Sequence, residues 1–172
     1  MALSPVESQA QCMSLKGSKA CPSFANLQID LSKLSDFSSD MSVGINITSF
    51  KDVAGFDKAI MSSPGFMTSS SCTGLSANPI QYQTTVLCKI VVQQLGTSCQ
   101  KDIRNMCNDS CTLYQQALSK AVASTCPKDS KSTDFVTLLA NVCAQKQGSG
   151  WGGLAGTETG CFKAQENEAS TC

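Results

Sequence analysis

The chain has no histidine. That absence removes the commonest general base, the commonest metal ligand and the side chain that titrates near neutrality. Ser-His and Cys-His nucleophile systems are excluded with it. Arginine is nearly absent too. Arg104 stands alone among thirteen basic residues, and thirteen acidic residues bring the formal net charge to zero. Nucleic-acid binders cluster their basic groups, usually with arginine, so no nucleic-acid partner is expected. Aromatics make up only 6% of the chain, so the core must be largely aliphatic and sulfur. No apolar run approaches the roughly 20 residues that a membrane span needs. No hydrophobic leader accompanies Met1-Ala2-Leu3. For an exported chain, that reads as a start from which the signal peptide has been removed.

Cysteine is what the chain has in abundance: eleven in 172 residues. Free thiols at that density would be a liability, and bridges persist in an oxidising compartment. The expected location is therefore secreted or extracellular. Structural zinc shows paired C-x2-C knuckles or Cys/His pairs. No C-x2-C occurs here, so neither a metal nor a cofactor is expected. Each bridge contributes ~2–4 kcal/mol, mostly by restricting the unfolded chain. An odd count leaves one thiol over, and the last residue, Cys172, is the natural candidate. It would be free, or would form an intermolecular disulfide. Two sequons, Asn46-Ile47-Thr48 and Asn108-Asp109-Ser110, are acceptors for N-glycosylation and fit an exported chain.

The order of elements can be read from caps and periods. Ser4-Pro5-Val6-Glu7 has the pattern of a helix start, which predicts a short helix to about Leu15 carrying Cys12. Leu27, Ile29 and Leu31 alternate with polar residues, as do Val43, Ile45 and Ile47. That period predicts two half-buried strands able to pair with each other, with Asn46 pointing outward. A short helix is expected over 52–62. A second, opened by Asn78-Pro79, should run to Leu95 and stop at Gly96. Its broad apolar face holds Ile80, Leu87, Ile90, Val91 and Leu95. Thr97 and Gln100 have capping-box spacing. Cys107, Cys111, Tyr114, Leu118 and Val122 form one helical stripe that ends at Cys126-Pro127. A further helix over 132–146 would bury Phe135, Leu138, Leu139, Val142 and Cys143 together. Residues 148–172 form a glycine-rich loop and a polar tail. The loop holds the single tryptophan, Trp151, which either packs back on the body or is displayed to a sugar, lipid or partner. No repeat or composition break divides the chain. The expectation is one domain over 1–172, with its core at about 12–161. It is mainly α: a disulfide-stapled helical bundle with a small two-stranded β element.

The cysteine order adds to this. A C-x8-C pair, Cys12 and Cys21, is followed by Pro22 and a strand-like stretch. A long gap leads to Cys72, then Cys88 and Cys99. The C-x3-C pair, Cys107 and Cys111, heads a helix that ends at Cys126, and Cys143 and Cys161 follow. This layout resembles the ten-cysteine pattern of the Frizzled-type cysteine-rich domain, in a divergent version such as a fungal secreted one. The gaps from Cys72 to Cys88 and from Cys111 to Cys126 are longer than the family's. The resemblance implies bridges Cys12–Cys99, Cys21–Cys88, Cys72–Cys126, Cys107–Cys161 and Cys111–Cys143, leaving Cys172 over. It also implies an extracellular domain that binds an acyl chain, a sterol or a protein ligand in an apolar groove between helices.

No enzyme is expected. The thirteen acidic residues are dispersed, and Glu158, Glu166 and Glu168 in the tail read as solvated surface charge. Phe56, Ile60, Met61, Phe66 and Met67 are candidate groove residues, because phenylalanine and methionine adapt to flexible ligands. The alternative for all five is plain core. A second class of function is a secreted effector, adhesin or cell-wall-associated protein that meets an extracellular protein or glycan through a surface patch. A mostly apolar concavity favours ligand carriage. A solid core with an exposed patch favours surface recognition.

Overall fold

The computed structural model describes residues 11–37, 44–65, 72, 74–75, 80–144 and 160–168. Among these residues the architecture is mainly helical, with a small two-stranded antiparallel sheet, as the sequence predicts. The two strands are not the predicted pair. β1, Cys12–Ser14, runs against β2, Gln28–Asp30, with Met13 opposite Ile29. Cys12 thus sits on a strand rather than a helix. Met13 and Leu15 turn inward while Cys12, Ser14 and Lys16 stay exposed, a two-residue period that the helix-start pattern upstream obscured. The start of that predicted helix, Ser4 to Glu7, lies outside the described residues.

Ile45 and Ile47 do not form a strand. Ile47–Ser49 is a 3-10 turn, although burial still alternates there and Asn46 faces solvent as expected. Val43 lies outside the described residues. This turn lies against helix α1, Val53–Met61, at Gly55. A Cβ at Gly55 would come within 2.1 Å of the Ser49 carbonyl oxygen, so the close approach requires glycine. Asp52 caps α1 by accepting the Gly55 N–H at 2.7 Å.

Helix α2, Gln83–Leu95, is the central element. Its sequence suggested one apolar face, yet every residue from Thr85 to Val92 is buried. Gly96 ends it as predicted. The Thr97/Gln100 pair opens no helix. Instead the Gln100 side-chain amide accepts the Gln28 N–H at 2.7 Å and donates to the Gln28 carbonyl at 2.9 Å, completing the edge of β2.

Helix α3, Asn108–Thr125, buries Cys111, Tyr114, Leu118 and Val122 along the predicted stripe. Helix α4, Ser130–Ala144, packs against it. Leu139, Val142 and Cys143 are buried there and Phe135 is half-buried, but Leu138 is 46% exposed. Leu138 lies next to Leu139 in sequence, about 100° around the helix, which carries it off the inner face.

Five disulfides join these parts: Cys12–Cys99, Cys21–Cys88, Cys72–Cys126, Cys107–Cys161 and Cys111–Cys143. The pairing coincides, bridge for bridge, with the one the resemblance implies. Such bridges need an oxidising compartment to persist. No helix among the described residues is long and apolar enough to cross a membrane. Cys172 lies outside the described residues.

Candidate functional site

The segment from Lys16 to Ala20 leaves β1 through a tight turn. Ser18 donates its N–H to the Leu15 carbonyl at 3.0 Å, and Gly17 has φ of +86°. The third position of such a turn needs positive φ, which is why glycine occupies it. The segment is then fixed to α1 by one buried carboxylate. Asp57 accepts the Ser18 hydroxyl, the Lys19 N–H at 2.7 Å and the Ala20 N–H at 3.3 Å. One residue later, the Cys21–Cys88 bridge ties the same segment to α2.

Between this segment and the outer side of α1 lies an open cleft of about 640 Å³. That is within the usual range for a small-molecule site, ~300–1,000 Å³. Val53, Ala54 and Met61 make it mostly apolar, and Met61 is 61% exposed. Lys16, Lys19 and Lys58 stand around it. Their alkyl stems extend the apolar surface while their ammonium groups remain in water. The lysines form no ion pair among the described residues, where the observed pair is Arg104–Glu166.

Of the three candidate groove residues among the described residues, only Met61 lines this cleft. Phe56 and Ile60 lie in the core, with Phe56 ring to ring against Phe50 at 5.1 Å. The physical reason is helical phase. Phe56 and Ile60 are four residues apart and share the inner face, whereas Met61 falls about 100° beyond Ile60. Phe66, Met67 and Trp151 lie outside the described residues. Sequence reading missed Lys16, Lys19, Asp57 and Lys58. The available signal was the Lys16-Gly17 pair, directly after the predicted helix end at about Leu15.

Two further clefts among the described residues are smaller. One, of about 170 Å³, is lined by Phe24, Phe162, Asp102 and Arg104, and the guanidinium of Arg104 stands 5.9 Å from the Phe162 ring centre. The other, of about 370 Å³, lies on the α3–α4 pair at Val122, Val136 and Pro127.

Of the tail acids, Glu166 is exposed as expected, but Glu168 is not a solvated surface charge. Glu168 sits at the start of α2, accepting the Tyr82 N–H at 3.0 Å, the Thr85 N–H and the Thr85 hydroxyl at 2.7 Å. A carboxylate there satisfies free helical N–H groups and meets the positive end of the helix dipole. Glu166 pairs with Arg104 at 3.4 Å. Asn167 donates to the Ala20 carbonyl at 3.1 Å and accepts the Ser23 N–H at 3.2 Å. Glu158 lies outside the described residues.

Two other buried charges matter. Asp30 lies in the core; burial alone would raise its carboxyl. Hydrogen bonds from the hydroxyls of Ser32 and Ser98 and the N–H groups of Ser32 and Gln11 outweigh that, lowering it to about 2. Lys89 is fully buried on α2, where burial lowers its ammonium to about 7, and its Nζ donates to Gln93 Oε1 at 2.7 Å. No group of three His, Cys, Asp or Glu among the described residues is arranged to hold a metal ion.

The sequons differ. Asn46 is exposed, and the Thr48 hydroxyl donates to its side-chain oxygen at 2.6 Å. Asn108 is the first residue of α3, half-buried, with its side-chain oxygen enclosed.

No family model, curated protein or solved structure matches this chain.

Proposed function

We propose that the chain is a secreted, non-enzymatic ligand-binding domain of Frizzled type whose α1 cleft takes an acyl chain, a sterol or the apolar part of a protein ligand. The observation that carries this reading is the cleft itself: a mostly apolar concavity between α1 and a segment that Asp57 fixes to α1 and the Cys21–Cys88 bridge fixes to α2. A site braced this way does not collapse when empty. The five bridges support the family assignment, because each joins the partners that the resemblance implies. The non-enzymatic reading is supported by the lack of histidine. The buried carboxylates Asp30 and Asp57 also spend their acceptor sites on N–H and hydroxyl groups rather than on each other as an acid–base pair.

The test is native mass spectrometry of the protein secreted from a eukaryotic host, followed by titration with fluorescent acyl and sterol probes. Saturable binding that Met61→Asp abolishes is expected. Absence of binding by every probe would sink the lipid reading.

Surface recognition is the second reading, favoured by Leu113 and Leu138, exposed on the paired helices α3 and α4. Cell-surface or wall binding lost in Leu113→Lys/Leu138→Lys and kept in Met61→Asp would select it.

A further inference from the structure

We propose that the α1 cleft selects an anionic single-chain amphiphile, with its alkyl chain over Val53, Ala54 and Met61 and its acid head against Lys16, Lys19 and Lys58. This rests on the cleft being the binding surface. Three ammonium groups and one carboxylate line it. That carboxylate, Asp57, is turned into the backbone of residues 18–20 and accepts the Lys19 and Ala20 N–H groups. Its acceptor sites are already occupied, so a ligand meets lysines rather than acid at the rim. The lysines form no ion pair among the described residues, so an incoming acid displaces water rather than a protein partner. The apolar lining runs along α1 from Val53 to Met61, about 12 Å at the helical rise per residue. It suits a flexible chain laid lengthwise. A cationic amphiphile would place its head against like charge.

The experiment is isothermal titration of the intact protein with decanoate, decyl maltoside and decyltrimethylammonium, each below its micelle concentration. The expected order is decanoate first, the neutral probe about tenfold weaker and the cation weakest. The preference should shrink toward the neutral value at roughly 0.5 M salt, where exposed charges are screened. Lys16→Gln/Lys19→Gln/Lys58→Gln should lose the preference for decanoate over the neutral probe, with the lining at Val53, Ala54 and Met61 unaltered. All three substitutions are at exposed positions, so an unchanged melting temperature is expected alongside. Equal binding of the three probes would overturn the charge selection and leave the cleft reading intact. Binding of none would overturn both. A preference that survives in the triple variant would place the anion elsewhere and overturn the proposal.

Discussion

Lys89 is a lysine that the fold would do better without. It is fully buried on the central helix, and the contact shown for its ammonium is Gln93, one turn along on the same helix. Burial depresses its pKa from 10.5 to about 7. At ~1.36 kcal/mol per pKa unit, the ionised side chain is disfavoured in the fold by about 5 kcal/mol. Lys89→Met keeps the unbranched stem and removes the ammonium. Losing the bond to Gln93 costs ~1 kcal/mol, and imperfect packing costs about as much again. The expected net gain at pH 7 is therefore about 2–3 kcal/mol. The pH dependence is a sharper signature. Between about pH 7 and 10.5 the unfolded lysine holds a proton that the folded one has released, so wild-type stability rises with pH across that window. From pH 7 to pH 9 the rise is about 2 kcal/mol. The variant lacks this contribution, while every other titrating group is common to both chains. The assay is urea denaturation of both proteins at pH 7, 8 and 9 with disulfides intact. A variant less stable at pH 7, or two curves that run parallel with pH, would refute the reasoning.

Three further outcomes are expected. Glu168→Gln weakens the capping of α2 and should cost about 1–2 kcal/mol in thermal denaturation, with faster amide exchange at Val86; no change would mean that the tail carboxylate does not hold the helix. Asp30 is held below its ordinary value of 3.8, at about 2, so its contribution is present above pH 3.8 and lost as pH falls toward 2. Asp30→Asn should therefore lose stability at pH 6 and show a flatter acid limb between pH 4 and 2, and an unchanged acid limb would count against it. Secreted from a glycosylating host, the chain should carry one N-glycan, at exposed Asn46. Asn46→Gln should abolish the endoglycosidase mass shift and Asn108→Gln should keep it, and the reverse would place the glycan at the start of α3.

Much of the helical frame was legible because its signals are local. Asp52 before α1, Gly96 after α2 and the Cys107-to-Val122 stripe of α3 each act within a few residues of the element they define. The sheet was misread because strand pairing is not local. The 45–48 stretch has the same alternation as a strand, yet β2 pairs with β1, and Gln100 occupies the far edge of β2. Among the described residues, the candidate site was legible only in Met61. Its lysines come from a turn and a helix about forty residues apart, brought together by Asp57, and nothing in an isolated aspartate says which distant N–H groups it will accept. Glu168 was hidden for the same reason: its partners Tyr82 and Thr85 lie more than eighty positions away.

The tail and the cleft belong to one mechanical unit. The Cys107–Cys161 bridge anchors the tail at the head of α3, and Phe162 exchanges backbone bonds with Asn105 and Cys107. From that anchor Glu168 reaches the start of α2, and Asn167 reaches the Ala20 carbonyl beside the cleft. Ala20 also donates to Asp57, the residue that fixes the lysine-bearing segment to α1. The chain of contacts thus runs from α3 through the tail to Ala20, Asp57 and the cleft wall. A cleft wall whose backbone is held from α1, α2 and the tail together needs no ordering by the ligand proposed above. This lowers the entropy penalty of binding, the advantage of a preorganised site. Disturbing the tail at Asn167 should accordingly weaken ligand binding at a cleft that Asn167 itself does not line.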